Sequence, residues 1–494
     1  MACESGESTR DEQSSGISGQ RDQRDQWDQR TVQKGERIMT SGTDNEAGRP
    51  PGKGAAGVRR ALSPRSAGVV YALVALVAVL TITSSAQGRP AYLSDVNISN
   101  ILDQSALIGI LAIFMTVVLI TGNFDLSVAS TAALSGTVAL KLVDAHGVVV
   151  ALVAALLTGI LVGLINAVLV QKVGVNAFIV TLGTLTAVRG VVQAILDGQS
   201  ITATRTSLHT FSTAQLAWHR TPALVVGVLL VAVAVLLVVR AGRTSSAGRT
   251  SGADGTGGGG PAVKISGTAV GLAVAGLAVV AVSAFRPALL NQTVPVWIML
   301  ALALLTGAVL RYTVVGRNLY AVGGNAEAAR LSGINVDRYK MSAFVLNGAV
   351  AAVVGVLYAG KFNSVDPTVL TGGELTVIAA AVLGGTSLFG GSGFVSKSVA
   401  GTLILFTLSN GFNVLNIGSN YQNVVQGSVL VAAAALYTAS SSRGRSFLRS
   451  RWSARRGGGG RPEGGAGTEH EPSLAGTEDG PALKLPVARA RAHD

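Results

Sequence analysis

Uncharged apolar windows recur along the chain. Ser66–Gly88, Gln104–Phe124, Gly147–Gln171, Ile265–Phe285, Pro287–Leu310, Met341–Gly360 and Leu375–Ser396 carry no Asp, Glu, Lys or Arg. Leu126–Leu140, Val173–Val188 and Pro222–Val239 are shorter but equally apolar, and Ser398–Ser442 is uncharged over 45 residues. A helix needs about 20 mostly apolar residues to cross a bilayer. The pattern therefore predicts an all-α, polytopic transmembrane helical bundle of 10–12 spans. The twelve candidates are 67–87, 104–121, 126–143, 147–170, 175–196, 222–239, 265–285, 292–310, 341–360, 375–389, 398–415 and 422–440. The third, fifth and tenth are interrupted or flanked by Gly and polar residues. They read as broken or re-entrant helices, which are tolerated where they face protein or water.

Polar segments divide the chain. Residues 1–66 and 441–494 hold too few large apolar residues to fold alone and read as disordered tails around a transmembrane domain at 67–440. Met39 within the first tail is an alternative start. Residues 241–262 form a Gly/Ser-rich linker. The chain is 13% charged, against roughly 25% in soluble domains. Its net charge of +13 reads as membrane topology, not nucleic-acid binding. Basic residues crowd at 51–66, 311–340 and 443–456, directly outside apolar spans. By the positive-inside rule these are cytoplasmic, as are both termini, and twelve spans satisfy all of them. The loops at 197–221 and 361–374 read as external. A single Cys, Cys3, and scattered His exclude a disulfide framework and a Cys- or His-built metal site.

Three polar motifs interrupt the apolar pattern. In GNFDLSVAS at 122–130, Asp125 lies at membrane depth between two apolar runs. There it either caps a helix or lines a substrate path. Asn123, Asn166, Arg189 and Asn347 are further polar groups within apolar spans, candidates for the same path or for helix–helix hydrogen bonds. GGNAEAARLSGINVDRYK at 323–340 is a polar stretch between two spans. Glu327–Arg330 suit a short helix that Gly333 would stop, a feature that a cytoplasmic partner could grip. VLGGTSLFGGSG at 382–393 is Gly-rich, but no G-x-x-x-x-G-K-S/T occurs, so the chain has no Walker-type ATP site. These glycines suit close helix packing or a broken helix.

Four segments resemble the permease subunits of ribose/xylose-type ABC sugar importers, which belong with the branched-chain amino acid permeases; the likeness to xylose permeases is greatest. They are AYLSDVNISNILDQSALIGILAI at 91–113, GNFDLSVAS, GRNLYAVGGNAEAARLSGINVDRYK at 316–340 and AAVLGGTSLFGGSG at 380–393. The linker after the sixth span also resembles xylose-type members, and the family usually has Gly in place of Ala129. The resemblance implies that Asn325, Glu327, Ala328, Ala329, Arg330, Gly333 and Asn335 belong to the loop that contacts the ATPase. It implies a second permease copy, a separate ATP-binding subunit carrying ATP and Mg, an extracytoplasmic solute-binding protein and a sugar substrate, a pentose such as xylose or ribose, in a bacterial cell membrane. The permease itself would hold no cofactor and perform no covalent chemistry. A branched-chain amino acid permease and a secondary transporter are the alternatives. Asp125 is nearly alone as an intramembrane ionisable group, which disfavours the latter, and no channel filter is evident.

Overall fold

The computed structural model describes residues 64–217, 219–247 and 267–418, with scattered positions from 421 to 431. The tails at 1–63 and beyond 431, most of the twelfth candidate span and the linker from 248 lie outside the described residues.

The helices follow the apolar windows. They are α1 (Pro64–Ala86), α2 (Asp95–Ile120), α3 (Val128–Val168), α4 (Ala177–Leu196), α5 (Ser207–Thr213), α6 (Arg220–Ala247) and α7 (Gly267–Phe285). After them come α8 (Val294–Tyr312), α9 (Val314–Gly324), α10 (Ala326–Leu331), α11 (Val336–Phe362), α12 (Gly373–Leu383) and α13 (Val395–Val414). Among the described residues, six stretches are long and apolar enough to cross a membrane. The chain is a multi-pass membrane protein.

One of these stretches, Val128–Val173, has 46 residues and so would be about 69 Å long if straight, over twice the thickness of a bilayer core. Gly147 divides it (φ 80°, ψ 171°), at the boundary expected between the third and fourth spans. Its end is a π-helical turn, Leu169–Val173, which Gly174 closes in the left-handed region. The fifth span is an unbroken helix, α4. The tenth is cut short. α12 has 11 residues, about 16 Å, and stops at Gly384–Gly385, so it reaches roughly half-way across. The start of the expected linker, 241–247, continues α6 as helix.

Two helices form the centre. In α2, 83% of the most apolar window is buried, and in α11 67%, against 11–33% in the other candidate spans. The outer helices turn large apolar side chains outward, among them Leu157 and Leu161 on α3, Ile179 on α4 and Leu304 on α8. Lipid is the solvent that suits such faces. α11 packs closely along α3 because glycines let the backbones meet. A Cβ at Gly136 would lie 2.7 Å from the Gly355 carbonyl, and one at Gly163 would lie 2.6 Å from that of Phe344.

Short strands, not expected from the sequence, join the connections at the far end. β1 (Ile201–Thr202) pairs antiparallel with β4 (Ser364–Val365), with Ile201 opposite Val365. β2 (Gln215–Ala217) pairs antiparallel with β3 (Asn291–Thr293), with Gln215 opposite Thr293. The 197–221 and 361–374 connections, read as lying on one side, are thus in direct contact.

Candidate functional site

α2 ends at Ile120 and α3 begins at Val128; the 122–130 motif makes the break between them. Ser127 is the N-cap residue of α3, and Asp125 sits two residues before it. The Asp125 carboxylate is buried and accepts three hydrogen bonds. Oδ1 receives the Ser127 backbone N–H at 3.0 Å and its hydroxyl at 2.6 Å. Oδ2 receives the Asn347 side-chain amide of α11 at 2.8 Å. Asn166 donates to Ser127 Oγ at 2.8 Å, and Thr184 of α4 donates to Asn166 Oδ1 at 2.7 Å. A buried polar chain thus links α4, α3 and α11 through the break. None of the four ion pairs among the described residues includes Asp125. Buried polar groups are costly unless bonded, so this network fixes where α11 crosses the break.

Of the five path candidates, the structure brings together Asp125, Asn166 and Asn347. Asn123 is buried nearby but donates to Thr121 Oγ1 at 3.2 Å. Arg189 lies apart on α4 and donates to the Val369 carbonyl at 2.6 Å. Ser127 and Thr184 complete the network. Ser127 stood within a singled-out motif, while Thr184 had no sequence signal, since a hydroxyl inside an apolar helix is common.

The 323–340 segment is built of caps. Asn325 Oδ1 accepts the Ala328 N–H at 3.0 Å and opens α10; Asn335 Oδ1 accepts the Arg338 N–H at 3.1 Å and opens α11. Gly333, at φ 80°, ends α10. Ala329 belongs to this segment but does not face outward. It is instead buried against Val322 and Val336. Ala326, three residues earlier on the same face, packs against this cluster too, so these two small side chains dock α10 on its neighbours. Glu327, Ala328, Arg330 and Gly333 remain exposed, and Leu331 is 86% exposed. Arg330 and Lys172 flank Asp337, at 3.0 Å and 3.7 Å. All three are substantially exposed, which makes each pair weak.

The three motifs converge at the C-terminal end of α2. The Gly391 N–H donates to the Ile120 carbonyl at 2.9 Å. Gly323 packs onto that carbonyl so closely that a Cβ there would overlap it. A Cβ at Gly390 would lie 2.7 Å from the Gly323 carbonyl and 2.9 Å from Gly122 Cα. Tyr320 donates to the Gly393 carbonyl at 2.8 Å, and burial pushes its phenol above the ordinary value. The segment bearing α10, the glycine-rich loop and the break that holds Asp125 therefore share one backbone junction. Phe389, at the tip of that loop, is 91% exposed. No group of three or more His, Cys, Asp or Glu that could hold a metal occurs among the described residues.

A multi-span helical bundle with a broken centre and a capped polar helix beside it is the architecture of a multi-pass membrane protein. The chain belongs to the family described as the permease component of branched-chain amino acid transport systems, whose sequence model matches residues 97–434. It is 33% identical to the ribose import permease protein RbsC of Escherichia coli, over 73% of this chain and 91% of that protein. It is also 33% identical to the xylose transport system permease protein XylH of Escherichia coli, over 76% and 92%. With the L-arabinose ABC transporter permease protein AraH of Azospirillum brasilense it shares 31% identity, over 74% and 85%. No solved structure matches the chain.

Proposed function

We propose that this chain is the membrane-spanning permease subunit of an ATP-binding-cassette importer for a monosaccharide, with a pentose such as xylose or ribose as the first candidate. Two copies form the translocation pathway. A separate ATP-binding subunit, which holds ATP and Mg, docks beneath them, and an extracytoplasmic binding protein delivers the sugar. Both termini and the 241–262 linker lie in the cytoplasm of a bacterial cell, as the basic flanks favour.

The observation that carries this reading is α10. It is a capped helix whose apolar side faces its own small core and whose outer side offers Glu327, Ala328, Arg330 and Leu331. A connection between spans has no internal need for such a helix. Leu331 on α10 and, beside the same junction, Phe389 in the loop that follows α12 are exposed apolar groups outside the long helices, as a protein partner would use them. ATP-driven closure of the partner subunits would move α10. The glycine junction would then pass that motion to the ends of α2 and α11, shifting the pathway between outward- and inward-open states. The family's description keeps branched-chain amino acids as a second reading.

One experiment covers both. The complete transporter is expressed, co-purification of the ATP-binding subunit is measured, and uptake of labelled xylose, ribose, arabinose and leucine is compared. Import of leucine alone would replace the sugar reading, and a chain that transports without any ATP-binding subunit would overturn the class. Reporter fusions at Gly258 and Ser453 should both read as cytoplasmic.

A further inference from the structure

The two central helices are joined by an ion pair at the end remote from α10. Lys361 Nζ, in the last turn of α11, lies 2.6 Å from Asp103 Oδ2 on α2 and 3.1 Å from the Asp103 main-chain carbonyl. The other carboxylate oxygen, Oδ1, accepts the hydroxyl of Thr293, next to the start of α8, at 2.6 Å. The site is one node for three elements. It stands about 25 Å along α2 from Ile120 and about 37 Å along α11 from Val336. Nearby bonds at that end of α11 run elsewhere: His209 Nδ1 meets the Gly360 carbonyl at 3.0 Å, and Asn363 donates to the Ala203 carbonyl at 3.0 Å. Both hold α11 to the 197–221 connection, not to α2.

Stability does not explain the pair. Ions taken partly out of water lose solvation, and well-packed apolar residues of similar volume hold two helices at least as well. What an ion pair offers over an apolar contact is reversible separation, because each charge can be hydrated when apart. The two side chains are 18% and 25% exposed, so the pair is not sealed in the core. α11 is a single helix running from the coupling segment to this node; it packs on α3 through glycines, and the Asn347–Asp125 hydrogen bond links it to the break before α3. A shift of α11 as a rigid rod would carry from Val336 to Lys361.

We propose that Asp103 and Lys361 are positioning residues of the transport cycle: they hold the outer ends of α11 and α2 together, part when the pathway opens at that end, and re-form to close it. The proposal rests on the importer reading above. It assigns no contact with the sugar to either residue.

The test uses the complete transporter in proteoliposomes, with sugar moved and ATP hydrolysed measured together. Asp103→Asn and Lys361→Met should each lower the sugar moved per ATP at least about fivefold, the lower end of a typical coupling energy. Lys361→Arg should leave the ratio near wild type, and the exchanged pair Asp103→Lys with Lys361→Asp should restore most of it. A purely structural role would reduce the amount of assembled transporter and leave this ratio unmoved. If either single variant fails to assemble, the exchanged pair and Lys361→Arg still decide, since normal coupling in both is required. An unchanged ratio in the single variants, or an exchanged pair that assembles but stays uncoupled, overturns the proposal. Wild-type protein that imports no sugar at all would instead overturn the importer reading.

Discussion

Replacing Asp125 separates the work of its charge from that of its oxygens. Asp125→Ala removes the acceptor of the Ser127 N–H, the Ser127 hydroxyl and the Asn347 amide. The hydroxyl can turn, but the other two donors are left buried. At about 1–3 kcal/mol for each unsatisfied group, the loss is on the order of 2–6 kcal/mol, less what is regained by no longer burying a carboxylate. Asp125→Asn has nearly the same shape. Its Oδ1 still serves Ser127. Its new amide faces Asn347, whose own Oδ1 has no hydrogen-bond partner and can turn to accept it. Removing a buried charge offsets the weaker bonds, so Asn should cost no more than about 1 kcal/mol. Thermal unfolding of purified protein in detergent, read on wild type, Asp125→Asn, Asp125→Ala, Asn347→Ala and the double alanine variant, gives these differences. The double variant should fall short of additivity by about 1 kcal/mol or more, as for groups in one network. Uptake should follow stability, with Asn retained and Ala impaired. Equal damage from Asn and Ala would refute the argument, because the charge itself would then be what the site requires.

Two glycines of the coupling segment should answer differently to alanine. Gly333 has open space around it, so Gly333→Ala should cost only the left-handed backbone penalty of about 1–2 kcal/mol and reduce co-purification of the ATP-binding subunit modestly; Gly323→Ala meets the Ile120 carbonyl and should prevent normal folding, measured as loss of monodisperse protein. Ala329→Leu overfills the small core under α10 and should lower stability by about 1–3 kcal/mol, whereas Leu331→Asp should leave thermal unfolding unchanged and still weaken co-purification of the ATP-binding subunit. A chain that starts at Met39 should insert and transport as the full chain does, since residues 1–38 offer too few apolar side chains to pack; lost uptake would sink that expectation.

The apolar windows and the α10 segment were legible because each rests on a local rule. A bilayer demands about 20 apolar residues in a row wherever the chain crosses it. A helix start needs an Asn, Asp or Ser beside it, and its stop favours Gly; Asn325, Asn335 and Gly333 obey this within a dozen residues. The half-length α12 was legible in the same way, from the glycines that end it.

Which side chains meet was settled only in three dimensions. Asp125 and Asn347 are 222 positions apart, and nothing in either neighbourhood names the other. Asp103 and Lys361 limited two uncharged windows, which began at Gln104 and ended at Gly360, and so read as mere ends of spans. Both helices run on past those charges, and packing α2 against α11 sets the two at 2.6 Å. Ala329 illustrates the same limit over a shorter range. Its size was plain, but whether it faced inward or outward depended on Val322 and Val336 closing over it. Hydropathy along a chain fixes how much of a segment must leave water, because that cost is summed residue by residue. Pairing depends on the direction each helix face takes when backbones dock, and here glycines at 136, 163, 323, 348 and 355 decide how closely the backbones approach.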